Sequence, residues 1–207
     1  RQIEFEAMNL DIHKRAEMAD DKLELLRRLL SEKKVTHKGL YHRVENVTIG
    51  PRPVQQPSPP IWIGPMWRNG FAEGVLRRTA KYGDGFLPSL VPPEGYRFGQ
   101  QKIRTYAEQY GRDPDSIEWG VVMWICIDDD PERAWDTMSH ESFRRRGVDP
   151  AKKGEANAIG TPDECLKTIR AYLELGVTHF VLNAGTPPAG MADQYKRFAV
   201  EVLPKIR

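Results

Sequence analysis

From Asp11 to Glu32 the apolar residues Ile12, Ala16, Ala19, Leu23, Leu26, Leu29 and Leu30 recur at helical spacing, with Lys, Arg and Glu between them. That period predicts one long amphipathic helix. The next stretch, VTHKGLYHRVENVTI, predicts two short extended segments around Gly39. The proline-studded PRPVQQPSPP after it is an excursion outside the main sheet, because proline cannot donate to a central ladder. Ile61 to Gly64 is short, apolar and bounded by proline and glycine, as a strand buried on both faces should be.

That strand leads through a glycine-bearing loop to a helix from about Ala72 to Tyr82 and a strand at Gly85 to Leu87. A helix from Pro93 to Tyr110 follows, opened by Pro92 and Pro93 and stopped by Gly111. IEWGVVMWICI predicts the longest strand, and Asp128 to Asp130 with Pro131 start another helix. Ser139 to Ile159 lacks periodicity and reads as a mobile basic loop with short helical pieces. Thr161, Pro162 and the acids Asp163 and Glu164 make a helix start. That helix runs to Gly176; strand His179 to Leu182, a glycine-proline loop and a closing helix complete the chain.

Strands alternating with helices predict a parallel α/β sheet, in which the loops at the carboxyl ends of the strands carry the chemistry. Those loops begin at Gly64, Pro88, Asp128 and Asn183. The unit from Pro59 to Pro88 is the most informative of them. Unpaired backbone N–H groups where its helix begins can hold an anion such as a cofactor phosphate.

Totals narrow the function classes. Lys and Arg number 31 against 29 Asp and Glu, so a net charge of +2 leaves no surplus for holding DNA. No apolar run approaches the roughly 20 residues that cross a bilayer, and the cytoplasm is the default compartment. Cys126 and Cys165 are far apart in apolar surroundings and read as reduced core residues. The chain opens on Arg1 rather than Met, which reads as a cut from something longer.

Several groups that look chemical have plainer roles. Asp128-Asp129-Asp130 resembles a metal cluster, but acids at a helix start compensate its dipole, and no metal is expected. In Gly83-Asp84-Gly85, Gly83 is expected to end a helix in a left-handed cap and Asp84 to cap the αβ turn. Trp62 is expected in the core, and Arg77 and Arg78 on a solvated helix face. His13, His37, His42, His140 and His179 are scattered, and the catalytic acid or base stays unknown.

The segments EFEAMNLDIHKRAEMADDKLELLRRLL, YHRVENVTIGPRPVQQPSPPIWIG, LRRTAKYGDGFLP and GTPDECLKTIRAYLELGVTHFVLN, with the terminal FAVEVLPKIR, resemble the luciferase-like monooxygenase family in order and in kind. The resemblance implies a (β/α)8 TIM-type barrel, of which this chain holds the C-terminal half, strands five to eight. Residues 1–60 would be a helix plus excursion, and 61–207 the strands with their helices, in one partial domain. Glu4 would lie just after strand four.

The resemblance also implies a flavin- or F420-dependent oxidoreductase or monooxygenase acting on a small molecule, with FMN or coenzyme F420 across the barrel mouth. The cofactor's phosphate tail would sit on Gly64, Arg68, Asn69, Gly70, Phe71 and Ala72, with Trp67 and the run Arg144-Arg145-Arg146 on the substrate or lid side. A separate flavin reductase and a homo-oligomer stay open as partners. Two other readings stand beside this one: an inert half-barrel acting as a structural or interaction piece, and a doubly wound nucleotide-binding module, which the lack of a G-x-G-x-x-G run weakens.

Overall fold

The computed structural model describes residues 2–139 and 155–206. Helix α1 (Gln2–Ala7) and a 3-10 turn at Ile12–Lys14 lead into α2 (Arg15–Ser31), followed by the antiparallel hairpin β1 (Val35–Lys38) and β2 (Arg43–Val47). Residues 48–61 carry no strand or helix. Then come β3 (Trp62–Ile63), α3 (Glu73–Tyr82), β4 (Gly85–Phe86), α4 (Pro93–Gln109), β5 (Glu118–Ile127) and α5 (Pro131–Ser139). The chain closes with β6 (Ala158–Gly160), α6 (Pro162–Leu173), β7 (His179–Ala184) and α7 (Met191–Arg197), which continues through a short π turn and a 3-10 turn as far as Lys205.

All pairings in the main sheet are parallel: β3 with β4, β4 with the start of β5, and β7 with Gly120–Ile125 of β5. Backbone N–H groups of Glu118, Val122 and Asp128 face one edge of β5, where they donate to Asp84, Pro88 and Gly160. The short strand β6 therefore takes over from β4 along that edge. Three residues are too few to show a period, which is why this strand lay hidden inside the segment read as a loop.

Alternation along β5 divides the molecule. Trp119, Val121, Met123, Ile125 and Ile127 pack under α4 and α6 in the main core. Gly120, Val122, Trp124 and Cys126 take the other face, the interior side of a barrel wall. Helix α6 begins in a full capping box, with the Thr161 hydroxyl accepting from the Glu164 amide and the Glu164 carboxylate accepting from the Thr161 amide.

Three local readings change. The buried side chains of α2 are Met18 and Leu25, while Leu26 is 43% exposed, because polar anchors set the helix's rotation. Arg27 donates to the Tyr82 carbonyl at 2.7 Å and to Asp84 at 2.9 Å, and Asp21 is gripped by His37 and His42 at 2.9 and 2.7 Å. Arg78 is part of the same set: it pairs with Asp20 at 2.6 Å with 11% of its side chain exposed, so it ties α3 to α2 instead of facing water. Gly83 has φ −79, an ordinary extended conformation, and Asp84 accepts the Ile61 amide at 2.8 Å, capping the start of the neighbouring strand rather than its own turn.

Candidate active site at the carboxyl ends of the strands

Parallel strands bring their exits to one end of the sheet, and the loop after β3 is built there as a continuation of the β3–β4 pair. The Trp67 amide donates to the Ser89 carbonyl at 3.0 Å, and the Ser89 amide donates to Pro65 at 2.9 Å. Gly64 is exposed beside β4, where a Cβ would come 3.2 Å from the Leu87 carbonyl. Asn69 (φ 57) and Gly70 (φ 150) then turn the chain into α3, a reversal that glycine makes without steric cost.

The loop splits into two faces. Trp67 and Phe71 point into the protein, with ring centroids 4.9 Å apart; Trp67 lies against Gly95, and Phe71 against Gly99 and Phe86. Arg68, Asn69, Ala72, Glu73 and Gly74 are exposed. Ala72, at the N-cap of α3, offers no side-chain hydrogen bond, and no atom lies within 4 Å of where a Cβ would stand at Gly70 or Gly74. The result is an uncapped helix start with open space in front of it, and a cationic side chain one turn of loop away.

Glu73 could oppose an anion there, but it is turned aside. Arg77 donates to its carboxylate at 2.8 Å and the Tyr106 hydroxyl at 3.0 Å, and these bonds, Arg77 first, hold it below the usual carboxylate range. Arg77 in turn lies 4.2 Å over the Tyr106 ring.

Interior-facing side chains form the floor. Trp62 lies across two glycines, since a Cβ would stand 2.3 Å from its ring at Gly85 and 2.9 Å at Gly120, and it meets His179 edge to face at 4.9 Å. It belongs to the barrel interior rather than to the core beneath the helices. His179 opens β7 and so sits at the end away from the strand exits.

A second apolar cluster stands apart from the main core at the exit of β5. Cys126, Ala134, Met138 and Ile159 are buried in it, with Leu90, Trp124 and Trp135 packed against them, partly buried. Sequence reasoning missed this group, although Trp124 and Trp135 flank the strand exit at Asp128. Burial raises the pKa of the Cys126 thiol to about 11 and that of Cys165 to about 12.

The acids after β5 are fully used. Asp128 accepts the Asp130 amide and pairs with Arg133, Asp130 accepts the Glu132 amide, and Asp129 pairs with Arg197 at 2.6 Å. Among the described residues no group of three or more His, Cys, Asp or Glu could hold a metal ion, and no helix is long and apolar enough to cross a membrane. Arg144, Arg145 and Arg146 lie outside the described residues.

Comparison with known proteins agrees with this architecture. The profile of a family described as luciferase-like monooxygenase matches residues 1–179. An F420-dependent glucose-6-phosphate dehydrogenase from Intrasporangium calvum is 28% identical over 210 residues, covering 88% of this chain and 59% of that protein. In fold, the chain matches the crystal structure of a monooxygenase from Streptomyces bottropensis with a TM-score of 0.79 at 24% identity, over 99% of this chain and 65% of that one. An F420-dependent secondary alcohol dehydrogenase, solved with an F420–acetone adduct, gives 0.76 at 20% identity, over 95% and 63%. The chain thus spans about 60% of the length of the curated relatives it matches.

Proposed function

The chain belongs to the luciferase-like monooxygenase family, and from that premise we propose that it serves an oxidoreductase that uses F420, or failing that FMN, on a small organic substrate. F420 comes first because four curated relatives of the chain are named as F420-dependent. When bound, such a cofactor supplies hydride exchange, or oxygen activation if it is a reduced flavin, in which case a flavin reductase is the fitting electron source.

The observation that carries the reading is the amino end of α3. A phosphate there would meet backbone N–H groups at an uncapped positive dipole end, with space left open by Gly70 and Gly74. Arg68 and Asn69 would add charge-assisted and neutral side-chain bonds. Phe71 and Trp67, held from behind by Gly99 and Gly95, keep the loop from folding back over that space. This chain's part would therefore be binding and orientation: the amino end of α3 would hold the tail of the cofactor at the strand exits, and the cofactor would supply the redox chemistry.

The test is a titration of the purified chain with F420 and, separately, with FMN, read by cofactor fluorescence. Saturable quenching is expected, weakened roughly tenfold by Arg68→Ala through loss of one charge-assisted contact. Absence of quenching by either cofactor would instead support the inert half-barrel.

A further inference from the structure

Alternation past β4 sends Phe86 into the main core and Leu87 and Ser89 to the interior side of the sheet. Leu87 follows that rule, since a Cβ at interior Gly120 would stand 2.8 Å from its side chain. On β7, Phe180 and Leu182 pack against the main core, so His179, Val181 and Asn183 face the interior, where His179 meets Trp62. A register offset then brings Ser89 and Asn183 to one level. Trp62 pairs through Gly85 to Glu118, yet its ring lies on Gly120, two residues further along β5. Barrel strands are tilted, so side chains at one height come from alternate strands with such an offset. Ser89 pairs through Val122 to Val181, and the same offset on β7 reaches Asn183. The Ser89 hydroxyl and the Asn183 amide thus share the interior layer nearest the strand exits, above the apolar side chains of Leu87, Val122 and Val181.

Both residues are partly buried, and among the described residues neither side chain has a hydrogen-bond partner. Polar groups withdrawn from water are ordinarily bonded. These two also stand on pinned backbone: Ser89 accepts from the Trp67 amide and donates its own to Pro65, and Asn183 is paired with Trp124 inside the β5–β7 ladder. Resting on the reading of this mouth as the active site, we infer that Ser89 and Asn183 together hold an oxygen atom of the substrate, and that the substrate is an alcohol or the matching carbonyl compound. Asparagine offers two N–H donors and a carbonyl acceptor, and serine a hydroxyl that serves as either. Both groups donate to a carbonyl oxygen; an alcohol instead donates to the Asn183 Oδ1 while accepting from Ser89. Both partners are uncharged, which suits an uncharged oxygen, whereas a carboxylate or phosphate gains most from a cation. An alcohol and its carbonyl form differ by one hydride and one proton, and hydride exchange is what the proposed cofactor supplies. The pair stands at the exits of β4 and β7 and the proposed phosphate contacts at the exit of β3, so the two ligands would occupy different sectors of one mouth.

The experiment follows the Asn183 side-chain amide of the cofactor-free chain by nitrogen-edited NMR, the signal being identified by its loss in Asn183→Leu. Cyclohexanone and cyclohexanol are the probes, and cyclohexanecarboxylate is the charged comparison. Both probes are expected to move that signal saturably, with affinity weakened roughly fivefold to tenfold in Ser89→Ala and restored in Ser89→Thr. The carboxylate is expected to bind more weakly than either. Circular dichroism melts establish that the variants are folded. No saturable shift with either probe, unchanged affinity in folded Ser89→Ala, or a carboxylate bound as tightly as the ketone overturns the inference. F420 quenching is measured in parallel: its absence alongside normal cyclohexanone binding removes the cofactor reading and leaves the oxygen site, whereas normal quenching without a shift of the Asn183 amide does the reverse.

Discussion

The side chain of Gln194 makes both backbone hydrogen bonds that a neighbouring strand would have made to Ile127: its Oε1 accepts the Ile127 amide at 2.6 Å, and its Nε2 donates to the Ile127 carbonyl at 3.1 Å. A helix side chain thus finishes the β5 ladder where β7 has ended, and it locks α7 to the strand exit. Arg197 donates a second bond to the same carbonyl at 3.3 Å. Gln194→Met, similar in length but unable to bond, leaves the Ile127 amide without its partner. It is expected to lower stability by about 1–3 kcal/mol, or several degrees in melting temperature. An unchanged urea midpoint would show the contact to be incidental.

Gly85→Ala places a methyl group where the Trp62 ring stands 2.3 Å away. Overpacking of this kind costs about 1–3 kcal/mol. In the double variant with Trp62→Leu the cost is expected to shrink, giving a coupling energy of about 1 kcal/mol in a denaturation cycle. Strict additivity would mean that Trp62 does not occupy the interior floor.

Gly74→Asp separates the proposed phosphate site from mere helix geometry. An acid in the first turn of α3 suits the dipole and replaces a glycine, so stability is expected to hold or rise slightly. Affinity for F420 or FMN is expected to fall about tenfold by repulsion between the new carboxylate and the phosphate. A variant of normal stability and normal affinity would remove the amino end of α3 from the cofactor's path.

Asp21 makes the hairpin's attachment acid-sensitive. Burial acts to raise its pKa, but bonds from His37 and His42 and from the amides of Tyr41 and His42 outweigh it and hold the carboxyl well below the usual range. A depressed folded value means that this contribution is complete above the ordinary value of 3.8 and is lost as pH falls further toward the folded value. Between pH 6 and pH 3, the urea midpoint of the native chain should therefore drop further than that of Asp21→Asn. Parallel pH profiles would show that the carboxylate is not what holds the hairpin.

Both thiols should be silent in the folded chain. With Cys126 raised to about 11 and Cys165 to about 12 by burial, almost no thiolate is present at pH 8, and neither sulfur is accessible. Ellman's reagent is expected to react with them only in denaturant. Prompt reaction of the native protein would mean that the cluster under Trp124 opens readily.

Local patterns carried most of the architecture. The capping residues Thr161 and Glu164, the glycine stops at Gly111 and Gly176, and the apolar run of β5 each act on neighbours within a turn or a strand, so the elements and their α/β order were readable directly from the chain. The loop at Gly70 was legible for the same reason, because a strand, a glycine and a helix start are adjacent in sequence. Other features depended on partners tens of residues away. Asp84 serves Ile61 and Arg27, Arg78 serves Asp20, and Gln194 serves Ile127; a side chain's partner across the fold leaves no period in the sequence. The cluster of Cys126, Ala134, Met138 and Ile159, with Leu90, Trp124 and Trp135 packed against it, is likewise a tertiary fact: its residues come together only once the parallel sheet has brought their elements to one end.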